Sequence, residues 1–178
     1  MKTLFNVIYV LLLVLCFHVL IFEPFHWGWA LLTIFNIIWL TTVLILSNLK
    51  YVKGRQNTGY EVCTIYKSEK KKRDCYVLKF PRGSYVPEHK DEAPEGYVHW
   101  RLNIVLPIWH VGGQFRQETV RLNTTVEEAA EWSKYQGFNK KILGFRFIKF
   151  APSEVTHWVE EVEWHTRFVL SFGWLEKR

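Results

Sequence analysis

Cysteine is scarce in this chain: Cys16, Cys63 and Cys75 are the three in 178 residues, with no CxxC pair and no Cys/His spacing of a zinc site. An odd count without such pairing argues against a structural zinc and for reduced thiols in a reducing compartment. Internal repeats and low-complexity tracts are missing, so the chain is no repeat array. No stripe of stacking aromatics accompanies the basic residues, which speaks against a nucleic-acid partner despite a net charge of +6. A cleaved signal peptide is also not supported, because the start carries only Lys2 and no small-x-small site precedes a polar segment.

Charge is nearly absent before Asn48 and concentrated after it. Residues 3–22 are apolar apart from Asn6 and His18, and residues 27–46 apart from Asn36 and a few hydroxyls. Each stretch has the about 20 residues that cross roughly 30 Å of hydrocarbon. The joining segment Glu23-Pro24-Phe25-His26 suits only a tight turn, with Trp27 and Trp29 where interfacial aromatics collect. The expectation is a two-helix transmembrane hairpin over residues 1–48. Lys2 precedes it and Lys50, Lys53 and Arg55 follow it, while the turn has no Lys or Arg. By the positive-inside rule the protein would be multi-pass in the inner, or cytoplasmic, membrane, with its charged domain facing the cytoplasm. Asn6, His18 and Asn36 read as interhelical hydrogen-bonding groups. Residues 49–59 read as a polar linker and residues 60–178 as the second domain.

That domain reads as mainly β. Short runs at 60–66, 75–80, 100–106, 113–119, 142–150 and 167–172 are rich in Val, Ile, Tyr, Phe and Trp, and turns such as Pro81-Arg82-Gly83 and Gly112-Gly113 separate them. A strand-helix-strand rhythm is missing, which favours a sandwich or jelly roll over a doubly wound sheet. One helix is expected from Thr125, where a capping hydroxyl precedes Glu127 and Glu128.

The chemistry lies in Pro87-Glu88-His89-Lys90-Asp91, Arg101-Leu102-Asn103, Gly112-Gly113-Gln114-Phe115, and His157 with Arg167 ten residues later. His89-x-Asp91 sets an imidazole and a carboxylate on one side of a strand or its mouth. His157 would complete the two-histidine, one-carboxylate triad used by non-haem iron(II) oxygenases. Three ligands on one face leave room for a bidentate 2-oxo acid and for dioxygen. A guanidinium suits the far carboxylate of that acid, and Arg167 is the candidate. His165 competes for the third ligand, having the parity of Arg167 if both lie on one strand. His99 and His110 read as packing or surface histidines, Trp100, Trp109, Trp158 and Trp164 as core or rim aromatics, and Cys63 and Cys75 as buried apolar groups.

In these motifs, residues 76–174 resemble the iron(II)- and 2-oxoglutarate-dependent dioxygenase superfamily, in its aspartyl/asparaginyl and prolyl hydroxylase-like branch. The resemblance implies a double-stranded β-helix with one short helix, here preceded by the transmembrane hairpin. It implies iron held by His89, Asp91 and His157, and the 2-oxoglutarate C5 carboxylate held by Arg167 with Arg101 beside it. Asn103 stands where that branch often has a histidine. The implied activity is hydroxylation with Fe(II), 2-oxoglutarate and O2. The substrate would be a lipid acyl chain or a peptide side chain close to the membrane. The alternative expectation is a membrane-tethered binding module of the same fold without turnover.

Overall fold

The structure, a computed structural model, describes residues 27–107, 110–118 and 125–178, with backbone alone for residues 27–32 and 131. The first expected span, with Asn6, Cys16 and His18, lies outside the described residues, as do Trp109 and the end of the strand expected at 113–119. Contacts divide the chain at Lys50 into two units.

In the first unit the described part is α1 (Trp27–Asn48), in which Thr42 and Asn48 side chains donate to the carbonyls of Ile38 and Leu44 four residues earlier. The expected transmembrane hairpin is corrected here: among the described residues no helix is long and apolar enough to cross a membrane. Asn36, Thr41 and Thr42 interrupt the apolar run of α1. With the hairpin go the transmembrane, multi-pass assignment to the inner membrane and the cytoplasm-facing orientation, which were built on it.

The second unit is mainly β with one short helix. Its strands are β1 (Val52–Lys53), β2 (Glu61–Ser68), β3 (Arg73–Phe80), β4 (Val86–His89), β5 (Tyr97–Val105) and β6 (Val111–Gly112). Then follow β7 (Phe115–Gln117), α2 (Val126–Gln136), β8 (Phe138–Ile142), β9 (Phe145–Phe150), β10 (His157–Val159), β11 (Val162–Trp164) and β12 (Arg167–Lys177). A seven-stranded sheet has the order β1-β2-β3-β12-β5-β9-β8; β4-β10-β7 and β11-β6 form two smaller sheets. All the pairings are antiparallel. The chain leaves the large sheet after β3, returns at β5, leaves again for β6 and β7, returns at β8, and leaves once more for β10 and β11 before β12.

This alternation leaves one apolar layer between sheets. Phe80, Val105, Ile148, Phe150 and Val169 of the large sheet meet Val86, Phe115 and Val162 of the smaller ones in a single buried cluster. Every second residue of β12 from Arg167 to Gly173 is buried, because alternate side chains of a strand face the same layer. Sequence reading expected one strand at 142–150. Instead Leu143 and Gly144, with φ of 49° and 83°, turn the chain between β8 and β9, and two positive φ values in succession suit a tight hairpin. The strand β8 escaped notice because it is exposed at every position and so carries no alternation.

Helix α2 starts in a capping box: the Glu128 N–H donates to Thr125 Oγ1 at 3.3 Å and the Thr125 N–H to Glu128 Oε2 at 3.0 Å. Two otherwise unpaired N–H groups of the first turn are thereby satisfied. Thr125→Ala is expected to lower stability by about 1 kcal/mol. A urea titration followed by circular dichroism reads this as a lower midpoint at unchanged slope.

Candidate metal centre

The site begins with a strand pairing that joins distant parts of the sequence. Strand β10 lies between β4 and β7, and His157 is the direct partner of His89. Side chains of directly opposed residues share a face, so the two imidazoles lie together, 4.3 Å between ring centroids. Asp91 follows two residues after His89, where the chain has left β4, and its N–H donates to the Pro152 carbonyl at 2.9 Å. That bond holds the carboxylate over the strand end. The ligand atoms of His89, Asp91 and His157 all lie within 4.8 Å of one another.

The tautomers are fixed by the backbone. His89 Nδ1 lies 2.8 Å from the Pro87 carbonyl and His157 Nδ1 3.1 Å from that of Val155. A carbonyl can only accept, so each Nδ1 carries a proton and each Nε2 is turned towards the centre, where His89 Nε2 lies 3.5 Å from Asp91 Oδ1 and that hydrogen bond raises the His89 pKa. Burial, with His89 nearby, pushes His157 down to about 4, so it is neutral at pH 7. Burial works against the Asp91 charge, yet the hydrogen bond from His89 and the charges of His157, Arg101 and His99 hold its carboxyl down to about 2. Two imidazoles and one carboxylate, grouped on one side, are the donor set that suits iron(II) with open positions. Phe115 and Phe150 wall the buried side, Phe150 edge-on to His157 at 4.9 Å.

Arg167 opens β12 opposite Phe80, and its guanidinium lies 5.2 Å from that ring. It is 3% exposed, and its buried Nη1 has no hydrogen-bond partner. Burial, with Arg146 nearby, lowers it to about 10, so it still carries its charge at pH 7. Arg167 borders the same cavity as the triad, of about 420 Å³. An unpartnered charged donor in such a place is expensive unless an anion meets it.

Arg101 also lines this cavity, but its donors are engaged: Ser171 Oγ accepts at 2.8 Å, His99 Nε2 at 3.3 Å, and Asp74 Oδ1 lies 3.4 Å away. Because Arg101 can only donate, the proton of His99 is on Nδ1, 3.6 Å from Asp91 Oδ2. Sequence reading set His99 aside as a packing histidine; its alternation with Arg101 on β5 was the signal that both face the same cavity. Asn103, next in that alternation, lines the cavity with Oδ1 buried and unbonded. His165 is placed elsewhere. It has a φ of 57°, is exposed, and lies against Trp164 in the turn between β11 and β12.

Gly113, with a φ of 63°, makes room for Arg167: a Cβ there would lie 2.7 Å from Val162 Cγ2 and 3.1 Å from Arg167 Cδ. Gly113→Ala is therefore expected to destabilise by more than about 1 kcal/mol from backbone strain and crowding together. Thermal melting reads that loss. Gly83→Ala, also at positive φ but with nothing within 4 Å, isolates the backbone part and should lose less.

No family model and no curated protein matches the chain. Among solved structures, a prolyl-4-hydroxylase from Pseudomonas putida is 17% identical, over 72% of this chain and 78% of that one, with a TM-score of 0.46. KdgF from Halomonas sp. is 15% identical over 71% and 87%, with a TM-score of 0.37. Rhodobacter sphaeroides SigE in complex with the anti-sigma ChrR is 16% identical over 72% and 50%, with a TM-score of 0.36. Likenesses this remote carry no argument about function. What the second unit shows by itself is a large antiparallel sheet with two smaller ones and a His-Asp-His group where β4 and β10 meet.

Proposed function

We propose that this protein is an iron(II)- and 2-oxoglutarate-dependent dioxygenase that hydroxylates a C–H bond. One observation carries the reading: a single cavity is bordered by the three-ligand group and, apart from it, by a buried guanidinium with an unpartnered donor. The metal needs the first, and the far carboxylate of a 2-oxo acid suits the second.

Iron(II) held there, with 2-oxoglutarate and dioxygen, supplies oxidation of a C–H bond to an alcohol, with succinate and carbon dioxide as the other products. The chain's own part is positioning. His89 and His157 present Nε2 because their Nδ1–H groups are tied to backbone carbonyls. Asp91 brings the negative charge, with His99 beside its second oxygen. Arg167 anchors the cosubstrate's distal carboxylate and so fixes which end meets the metal. Phe115 and Phe150 keep water from the buried side. The substrate is an acyl chain or a peptide side chain.

The test is an anaerobic titration of the full chain with Fe(II) and 2-oxoglutarate, followed by oxygen. A weak visible charge-transfer band, then oxygen-dependent succinate, is the expected result. No band in a folded, iron-loaded protein would overturn the reading. A band without succinate would leave a module that binds but does not turn over.

A further inference from the structure

The second unit contains another cavity, of about 660 Å³, bordered by the β5–β7 connection, the β8–β9 hairpin and the turn before β12. None of the three candidate ligands borders it, but Arg167 borders both cavities. Its titratable lining is basic: Lys141, Arg146, Arg167 and His110, with no Asp or Glu among the described residues.

Lys141 and Arg146 are direct cross-strand partners on β8 and β9, so their side chains leave the same face of the hairpin. Like charges directly opposed destabilise a sheet. Neither has a carboxylate partner among the described residues. Arg146 is near enough to Arg167 for its charge to be felt there. Arg167 is itself 3% exposed with Nη1 unbonded. Trp164, half exposed, supplies a flat apolar wall on the same cavity. A fold that sets these cations round one concavity, with no acid among its described lining residues, is arranged for an anion from outside the chain.

We infer that this second cavity binds a multiply charged oxyanion, a phosphate or a polycarboxylate, between Lys141 and Arg146 with Arg167 behind them. The site goes beyond the oxygenase reading and stands without it, since it needs neither iron nor a 2-oxo acid.

The test uses the metal-free full chain at low salt and two probes, inorganic phosphate and tricarballylate, each titrated calorimetrically against a sodium chloride control of equal ionic strength. Saturable binding of at least one probe is expected, weakened about tenfold or more by Arg146→Gln and again by Lys141→Gln. Without any probe, both variants should melt no lower than the parent, because a like-charge opposition has been relieved, and this also establishes that they fold. Binding of phosphate alone assigns a phosphorylated ligand, and binding of tricarballylate alone a polycarboxylate. No binding of either probe, an equal heat from chloride, or binding indifferent to both substitutions would overturn the inference.

Discussion

His157→Ala is expected to abolish iron(II) binding at the candidate centre, weakening it by more than about 100-fold, since even groups that only orient a ligand contribute about 10–100-fold. His157 is 7% exposed and lies directly across from His89. Loss of one imidazole leaves His89 and Asp91, two ligands at the edge of a cavity. The variant should still fold, because Phe150 and Phe115 pack on the ring from one side and the Val155 carbonyl loses only one hydrogen bond. Equilibrium dialysis with metal analysis measures the loss, and His165→Ala is the control. Sequence parity made His165 a rival ligand; its exposed turn position beside Trp164 predicts unchanged metal binding. If His165→Ala lost iron and His157→Ala kept it, the assignment would be reversed.

The His165 rivalry marks where sequence reading stops. Parity along a strand is legible only if the strand is unbroken, and the left-handed residue at 165 breaks it between β11 and β12. Local signals did better: His89 and Asp91 are two apart in sequence and meet through one strand end, and Thr125 caps its helix with residues three positions on. The meeting of His89 with His157 was legible as chemistry, a plausible ligand set, but not as geometry, because it depends on a pairing of β4 with β10 that no local pattern encodes. His99 was missed for a related reason. Its place is fixed by Arg101 and Asp91, and a histidine's role follows from its partners more than from its neighbours. The hairpin expectation came from counting apolar residues, and apolar length alone does not say what a helix packs against.

The second large effect concerns Arg167, and its sign differs between binding and folding. Arg167→Leu is expected to weaken 2-oxoglutarate binding by about 30-fold to several thousand-fold, the range for removing one partner of a buried charged contact. Arg167→Lys should fall between, retaining the charge and losing the planar fork. Stability should move the other way. The guanidinium is buried with Nη1 unbonded and has Arg146 as a charged neighbour, so replacing it with an apolar chain removes an uncompensated charge from the interior. The leucine variant should melt at or above the parent in the absence of ligand. Arg101→Leu offers the contrast. Arg101 is tied to Ser171, His99 and Asp74, and its loss strands the half-buried Asp74 carboxylate, so it should melt lower and bind 2-oxoglutarate more nearly as the parent does. Melting curves with and without the metal and 2-oxoglutarate, taken on both variants, separate the two arginines. Equal loss of 2-oxoglutarate binding in both would make Arg101 a second anchor, and undiminished binding in Arg167→Leu would remove Arg167 from that role.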